Sequence, residues 1–247
     1  MNSAKAIFKK QFKASVKHPE TLIQFMIYPV MALVMNVMTN IDFGDYDLPQ
    51  EMIDAMIANM PNLALMMATM FAGMALIPAV AGIIAEDIER KSLRFLIMAG
   101  VKPSAYLIGV GSVIFLVSIA TTVAFGFIAE FGGVDFLIFV AALLSGVAAS
   151  IVLGAIIGIL TKNQQAATAL SMPIAMVLGF GPMMAQFNDT AARVLNPLYT
   201  QQLNVIADAL NGALDTPIWQ SFAIIWSNVA IIAVLFLIVF KKKGMGD

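Results

Sequence analysis

The chain carries six apolar runs long enough to cross a bilayer, and of its fourteen Lys and Arg residues all but Arg193 fall on one side of those runs. A hydrocarbon core of ~30 Å takes roughly 17–25 residues of helix. The runs cover residues 21–38, 63–85, 105–129, 136–160, 166–184 and 218–240. With 60% hydrophobic and only 12% charged residues, the composition lies far from the roughly 25% charged of soluble domains. In lipid a spanning chain must satisfy its own backbone polar groups, and a run of this length does so as helix. The reading is an all-α polytopic membrane protein: six transmembrane helices in one domain over residues 1–247.

Orientation follows from the cations. Lys5, Lys9, Lys10, Lys13 and Lys17 precede the first run. Arg90, Lys91, Arg94 and Lys102 lie between the second and third, Lys162 after the fourth, and Lys241, Lys242 and Lys243 after the sixth. By the positive-inside rule both termini are cytoplasmic. The opposite loops carry Asp42, Asp45, Asp47, Glu51, Asp54, Glu130, Asp135, Asp189, Asp208 and Asp215.

Residues 1–19 read as an interfacial amphipathic helix. Lys5, Lys9, Lys13 and Lys17 recur every four residues, with Ala4, Ile7, Phe8, Phe12 and Val16 on the neighbouring face. Such a helix rests its apolar side at the headgroup boundary while the lysines meet anionic membrane lipid. Pro19 disfavours helix in the residue before it and marks the end. The first run is followed by Asn36, Thr39, Asn40 and Asp42 rather than a small-residue cleavage site, so it is expected to be a retained span.

The membrane interior excludes several functions. No Asp, Glu, Lys, Arg or His lies well inside a run, and Glu130 sits only at an outer edge. Proton relays, ion sites and voltage sensors normally need such groups, so an ion-coupled carrier is disfavoured. One histidine, His18, cannot build a His-Glu-x-x-His zinc site, and cysteine is absent. Met52, Met56 and Met60 share a helical face and offer soft thioethers that suit Cu(I), but methionine also fills irregular packing gaps. No metal site is expected. The chain also lacks a Gly-x-x-x-x-Gly-Lys-Ser/Thr phosphate loop, so ATP-driven work would require a partner. No nucleic acid partner is expected.

Three constellations remain besides the inner loop. In the fourth run Ala142, Gly146, Ser150, Gly154 and Gly158 stand four residues apart. Small residues at that period let a neighbouring helix approach closely, whether from the same chain or a second subunit. The fifth run contains Pro173, Gly179, Gly181 and Pro182, residues that break or kink helices and are tolerated where backbone is protein-buried or lines a cavity. Its polar entry makes Gln165, Thr168, Ser171, Met172 and Met176 the candidate lining of a pathway, with a simple packing kink as the other reading. Residues 185–217 form an outer segment in which Val194, Leu195, Leu198, Leu203, Ile206 and Leu210 keep helical spacing. This segment is expected to lie on or dip into the outer leaflet, as a lid.

The inner loop, residues 86–104, is the most specific segment. Charges crowd its first half, and Leu93, Phe95, Leu96, Ile97 and Met98 crowd its second. A solvated topogenic loop would explain the charges but not the apolar residues. Glu89-Arg90-Lys91, then Leu93, Leu96, Pro103, Tyr106, Leu107 and Gly109, resembles the inner loop of type-2 ATP-binding-cassette (ABC) exporter permeases. Asn196-Pro197-Leu198-Tyr199 is similar to the Asn-Pro-Leu that these permeases carry before their last span. Val110 stands where the family often has lysine. The resemblance covers essentially the whole chain.

That resemblance implies a transporter subunit rather than an enzyme, located in the plasma membrane as a multi-pass protein. Glu86, Asp87, Glu89, Arg90, Lys91 and Arg94 would belong to a coupling helix seated on a separate ABC ATPase subunit. ATP and magnesium would bind that partner and no cofactor this chain. A second permease subunit, identical or not, would complete the transporter, with the second and fifth spans lining the route. An apolar path with hydroxyl, amide and thioether groups favours export of an amphipathic peptide, lipid or drug-like molecule. The alternative is a membrane binding or immunity protein that captures a toxin or signal without transport.

Overall fold

A computed structural model describes residues 7–9, 12, 20–39 and 63–244, and among these every regular element is helical. Helix α1 is Glu20–Thr39, α2 is Leu63–Met70, and a π-helical turn, Phe71–Ala75, joins α2 to α3, Leu76–Glu89. Then follow α4 (Ser92–Met98), α5 (Pro103–Ile128), α6 (Gly133–Leu160), α7 (Gln164–Phe187), α8 (Asp189–Leu195), α9 (Tyr199–Leu210) and α10 (Ile218–Gly244). Among the described residues, five helical stretches are long and apolar enough to cross a membrane: Leu65–Glu89, Ser104–Ile128, Gly133–Leu160, Gln164–Phe187 and Ile218–Lys242. Helix α1, at 20 residues, has the length of a span but a shorter apolar stretch, Ile23–Val37. The protein is an all-α polytopic membrane protein.

Of the N-terminal segment, Ile7, Phe8, Lys9 and Phe12 are described and are helical. Ile7 is buried, Lys9 exposed, and the Phe8 and Phe12 rings stack with centroids 5.9 Å apart. Lys5, Lys13, Lys17 and His18 lie outside the described residues, as do Met52, Met56 and Met60.

Helix α6 is the centre of the bundle and packs on α3, α5, α9 and α10. Lipid tails are as apolar as leucine, so helices associate here through close van der Waals packing and interhelical hydrogen bonds. The small-residue stripe supplies both, within the chain. A Cβ on Gly154 would stand 2.7 Å from the Ile77 carbonyl oxygen, and one on Gly158 would stand 2.8 Å from that of Ala81. Both positions press on the α3 backbone itself. Gly146 receives the Leu203 side chain of α9. Between them, Ser150 lies within 2.6 Å of the Ala72 carbonyl, 3.0 Å of the Gly146 carbonyl and 2.8 Å of the Tyr199 hydroxyl. A serine has one proton to donate. The two carbonyls can only accept it, so Tyr199 must be the donor to Ser150.

The irregular backbone falls in the second span, not the fifth. Helix α7 runs unbroken from Gln164 to Phe187 with Pro173 and Pro182 inside it, whereas the second span widens into a π-turn at Phe71–Ala75. These two places meet. A Cβ on Gly73 would stand 2.6 Å from the Gly179 amide nitrogen, and one on Gly179 would overlap the Met74 side chain. The fifth-span glycine is therefore a crossing point rather than a break. The π-turn also presents Phe71, fully buried, to three other rings. Phe25 and Tyr28 of α1 lie 5.5 and 6.1 Å away and Phe125 of α5 lies 5.8 Å away, so one side chain gathers the first three spans.

The outer segment divides in two. Helix α8 has no buried residue, but α9 packs into the bundle against α10, α6, α7 and α2. Tyr199, Thr200, Gln201, Gln202, Leu203, Asn204, Ile206 and Ala207 are all buried. Apolar spacing captured Leu203 and Ile206. It missed the polar residues, of which Gln202 donates to the Asn196 side-chain oxygen at 3.0 Å, while the Thr200 hydroxyl and the Gln201 side-chain oxygen are buried without a hydrogen-bond partner among the described residues.

Two outcomes follow. Gly154→Ala, which pushes a methyl into the Ile77 carbonyl, is expected to lower stability by about 1–3 kcal/mol in a detergent unfolding titration. Gly132→Ala, with nothing within 4 Å of the added carbon, should cost less, limited to the loss of a glycine N-cap on α6. Burial raises the Asp208 carboxyl above its ordinary value of 3.8, so the folded state disfavours its charged form. The unfolded chain ionises first. This group's contribution to stability is greatest below 3.8 and declines as pH rises through the folded value. Thermal unfolding across that range should show a shallower decline in Asp208→Asn than in the parent.

Candidate functional site

The inner corner of the bundle is where charge, turn and apolar surface meet. Helix α3 ends at Glu89 because the next two residues turn the chain: the Arg90 amide bonds the Glu86 carbonyl at 2.9 Å and the Lys91 amide the Ile88 carbonyl at 2.9 Å. Lys91 adopts the left-handed conformation, φ 58°, which costs a non-glycine residue about 1 kcal/mol or more. Helix α4 starts directly after it. The short helix is thus built from the apolar half of the loop, Ser92–Met98, rather than from residues 86–94. Helix α4 closes at Gly100, φ 76°, and Lys102 leads into α5 with Pro103 in its first turn.

The six charged residues divide by position. Arg90 pairs with Glu86 at 2.7 Å on an exposed face, with Arg90 74% and Glu86 38% accessible, so the pair adds little stability but leaves both groups available to a partner. Lys91 and Glu89 are exposed as well. The side chain of Arg94 lies outside the described residues. Asp87 is the exception, 6% accessible and turned into the protein. Its carboxylate accepts from the Ser92 hydroxyl at 2.6 Å and from the Tyr106 hydroxyl at 2.9 Å. Asp87 therefore holds the loop from beneath instead of facing outward with its neighbours. Beside the charges, Phe95 and Met98 of α4 are each 66% exposed while Leu93 is buried.

The same corner touches α7. The Glu89 carboxylate accepts from the backbone amide of Gln164 at 3.3 Å, and the Asn163 side chain accepts from the Ala166 amide at 2.8 Å. Two of the four unpaired amides at the start of α7 are satisfied this way, one locally and one by the inner loop. Sequence offered Asn163 as a cap by its position, but nothing in it joined Glu89 to a residue 75 positions away.

From there α7 shows two faces. Gln165, Thr168, Met172 and Met176 are exposed along one side, at spacings of three, four and four. Ser171 is fully buried on the other, donating to the Thr168 carbonyl at 3.1 Å. The five candidate lining residues thus separate into an outward stripe of four and one inward serine. A further apolar cleft of about 450 Å³, lined by Leu153, Pro173, Ile174, Val177, Tyr199 and Asn228 among others, opens between α6, α7, α9 and α10. Both of its polar side chains are engaged, Tyr199 with Ser150 and Asn228 with the Pro197 carbonyl at 2.9 Å.

Replacing the α7 cap, Asn163→Ala, is expected to cost about 1 kcal/mol. Faster amide hydrogen exchange should appear at Ala166, with the middle of α6 unaffected.

No curated protein sequence matches the chain. A family model described as ABC-2 family transporter protein matches residues 36–241, from within α1 through nearly all of α10, and so includes the inner corner, the α7 stripe and the α8–α9 segment. An all-helical bundle of membrane-length helices, matched over most of its length, makes this chain a member of the ABC-2 transporter family, the membrane permease subunit of an ABC transporter.

Proposed function

We propose that the chain is the export permease of an ATP-driven transporter, working with a separate ABC ATPase and a second permease subunit in the plasma membrane. The observation that carries this is the composition of the inner corner. Glu86, Glu89, Arg90 and Lys91 are accessible charges of both signs, and Phe95 and Met98 stand exposed beside them on a short helix. A polar rim around apolar anchors is the make-up of a protein docking surface. The chain has no phosphate loop of its own, so energy must arrive through such a surface.

The route for cargo follows from α7. Its exposed stripe of Gln165, Thr168, Met172 and Met176 faces out of the single subunit, where a symmetric partner would place the same stripe opposite. The resulting wall has amide, hydroxyl and thioether groups and no charge. It suits an amphipathic cargo such as a peptide, lipid or drug-like molecule more than a small ion. The inner loop reaches α7 directly through Glu89 and the Gln164 amide, giving ATPase movement a short path to this wall.

Purification with candidate ABC ATPases should recover a stable complex. Arg90→Ala combined with Phe95→Ala should weaken that complex by roughly tenfold or more, the scale of a docking anchor lost. If no ATPase co-purifies, or if export from cells continues when the ATPase is inactivated, the reading is wrong. Protection of cells that persists without ATP hydrolysis would instead indicate a capturing immunity protein.

A further inference from the structure

We propose that Asp87 is a positioning residue for energy coupling: a buried carboxylate strut that locks the inner turn to α5, so that force on α4 reaches the bundle. The proposal rests on the reading of this chain as a permease driven by a separate ATPase. Three helices meet at this one side chain. Asp87 belongs to the last turn of α3. One of its oxygens takes the Ser92 hydroxyl at the start of α4, 2.6 Å away, and the other takes the Tyr106 hydroxyl in the first turn of α5, 2.9 Å away. The Ser92 hydroxyl also lies 3.0 Å from the backbone carbonyl of Asp87, but its one proton goes to the nearer carboxylate.

The acceptor's surroundings make the link stiff. Tyr106 is 1% accessible, and its ring lies 6.3 Å from that of Phe240, itself 5.7 Å from Phe236, so the contact continues into α10. Hydrogen bonds to a carboxylate are short and strong, and more so away from water. A second observation is independent of the first: Lys91 is held at φ 58°, a conformation that a non-glycine residue keeps only when its surroundings impose it.

The mechanical argument is simple. Without the strut, α4 would be held only by the turn at Arg90 and Lys91 and the apolar packing of Leu93, Leu96 and Ile97, and a push on Phe95 or Met98 would be absorbed in part by rotation there. With both oxygens of Asp87 engaged, that rotation must break hydrogen bonds. The push passes instead to α5 through Tyr106 and to α7 through Glu89.

The chain contains no cysteine, so Phe95→Cys gives a unique spin-label site on α4. In the purified permease, Tyr106→Phe and Asp87→Asn are each expected to raise the mobile population of that label roughly tenfold, the scale of one lost hydrogen bond to a carboxylate. Ser92→Ala should do so to a lesser degree. Ser227→Ala, which removes a bond within α10, should have no effect. Tyr106→Phe and Ser92→Ala each delete one hydroxyl and keep the packing, so a folding defect in Asp87→Asn leaves the question answerable.

A second label, at Met176→Cys on α7, reads coupling in the complex with its ATPase, with ATP and magnesium as the only probes. The parent should show an ATP-dependent spectral change. In Tyr106→Phe the ATPase should stay bound and hydrolyse ATP while the change at Met176 falls about tenfold. An unaltered Phe95 label in both Tyr106→Phe and Asp87→Asn overturns the strut, and a full ATP response in those variants overturns its part in coupling. Failure of the parent chain to bind any ATPase overturns the underlying reading, and the coupling role with it, while the Phe95 label still decides whether Asp87 holds the turn.

Discussion

The close crossing of α6 over α3 is the constraint on which the rest of the bundle is arranged. Gly154 and Gly158 bring the two backbones within a methyl group of each other, at the Ile77 and Ala81 carbonyls. In a bilayer this proximity has to be won by packing, since burying leucine against leucine gains little over burying it against lipid. One turn further along α6 the stripe changes chemistry. Ser150 bonds the Ala72 carbonyl within the π-turn and receives the Tyr199 hydroxyl from α9. The stripe thus joins the irregular part of the second span to the outer segment, and α9 is packed into the protein.

The π-turn carries this arrangement toward α7. Extra width in the second span places Gly73 against Gly179 and turns Phe71 toward the rings of Phe25, Tyr28 and Phe125. Bulges of this kind re-aim side chains without breaking the helix. Here the bulge lets α7 cross closely at Gly179, while Met172 and Met176, on earlier turns of the same face, stay exposed. The same helix packs through Ala167, Ser171, Ala175 and Leu178 and leaves Met172 and Met176 uncovered.

At the inner end the chain separates two tasks that sequence had merged. A run of charges between residues 86 and 94 reads as one contact surface. Folding divides it into accessible groups, such as the Glu86–Arg90 pair, and the inward Asp87. Burial of that carboxylate with the Ser92 and Tyr106 hydroxyls sets the angle at which α4 leaves the bundle. Phe95 and Met98 stand exposed on that helix, so the surface proposed for docking rests on the hydrogen bonds beneath it.

The sequence by itself determined the class, the spans and the small-residue stripe. Apolar runs of membrane length can only be helices, the positions of Lys and Arg bias their orientation, and residues four apart must share a helical face, whatever the tertiary structure. Only the tertiary structure decided which faces meet. It moved the irregular backbone from the fifth span to the second, because Gly179 packs at a crossing where Pro173 and Pro182 would have suggested a break. It split Ser171 from Gln165, Thr168, Met172 and Met176, since α7 is packed on one side alone. It turned Asp87 inward, where its oxygens accept from Ser92 across the turn and from Tyr106 at the start of α5. Such choices depend on contacts between residues distant in the chain, and a local pattern of charge or apolarity carries no record of them.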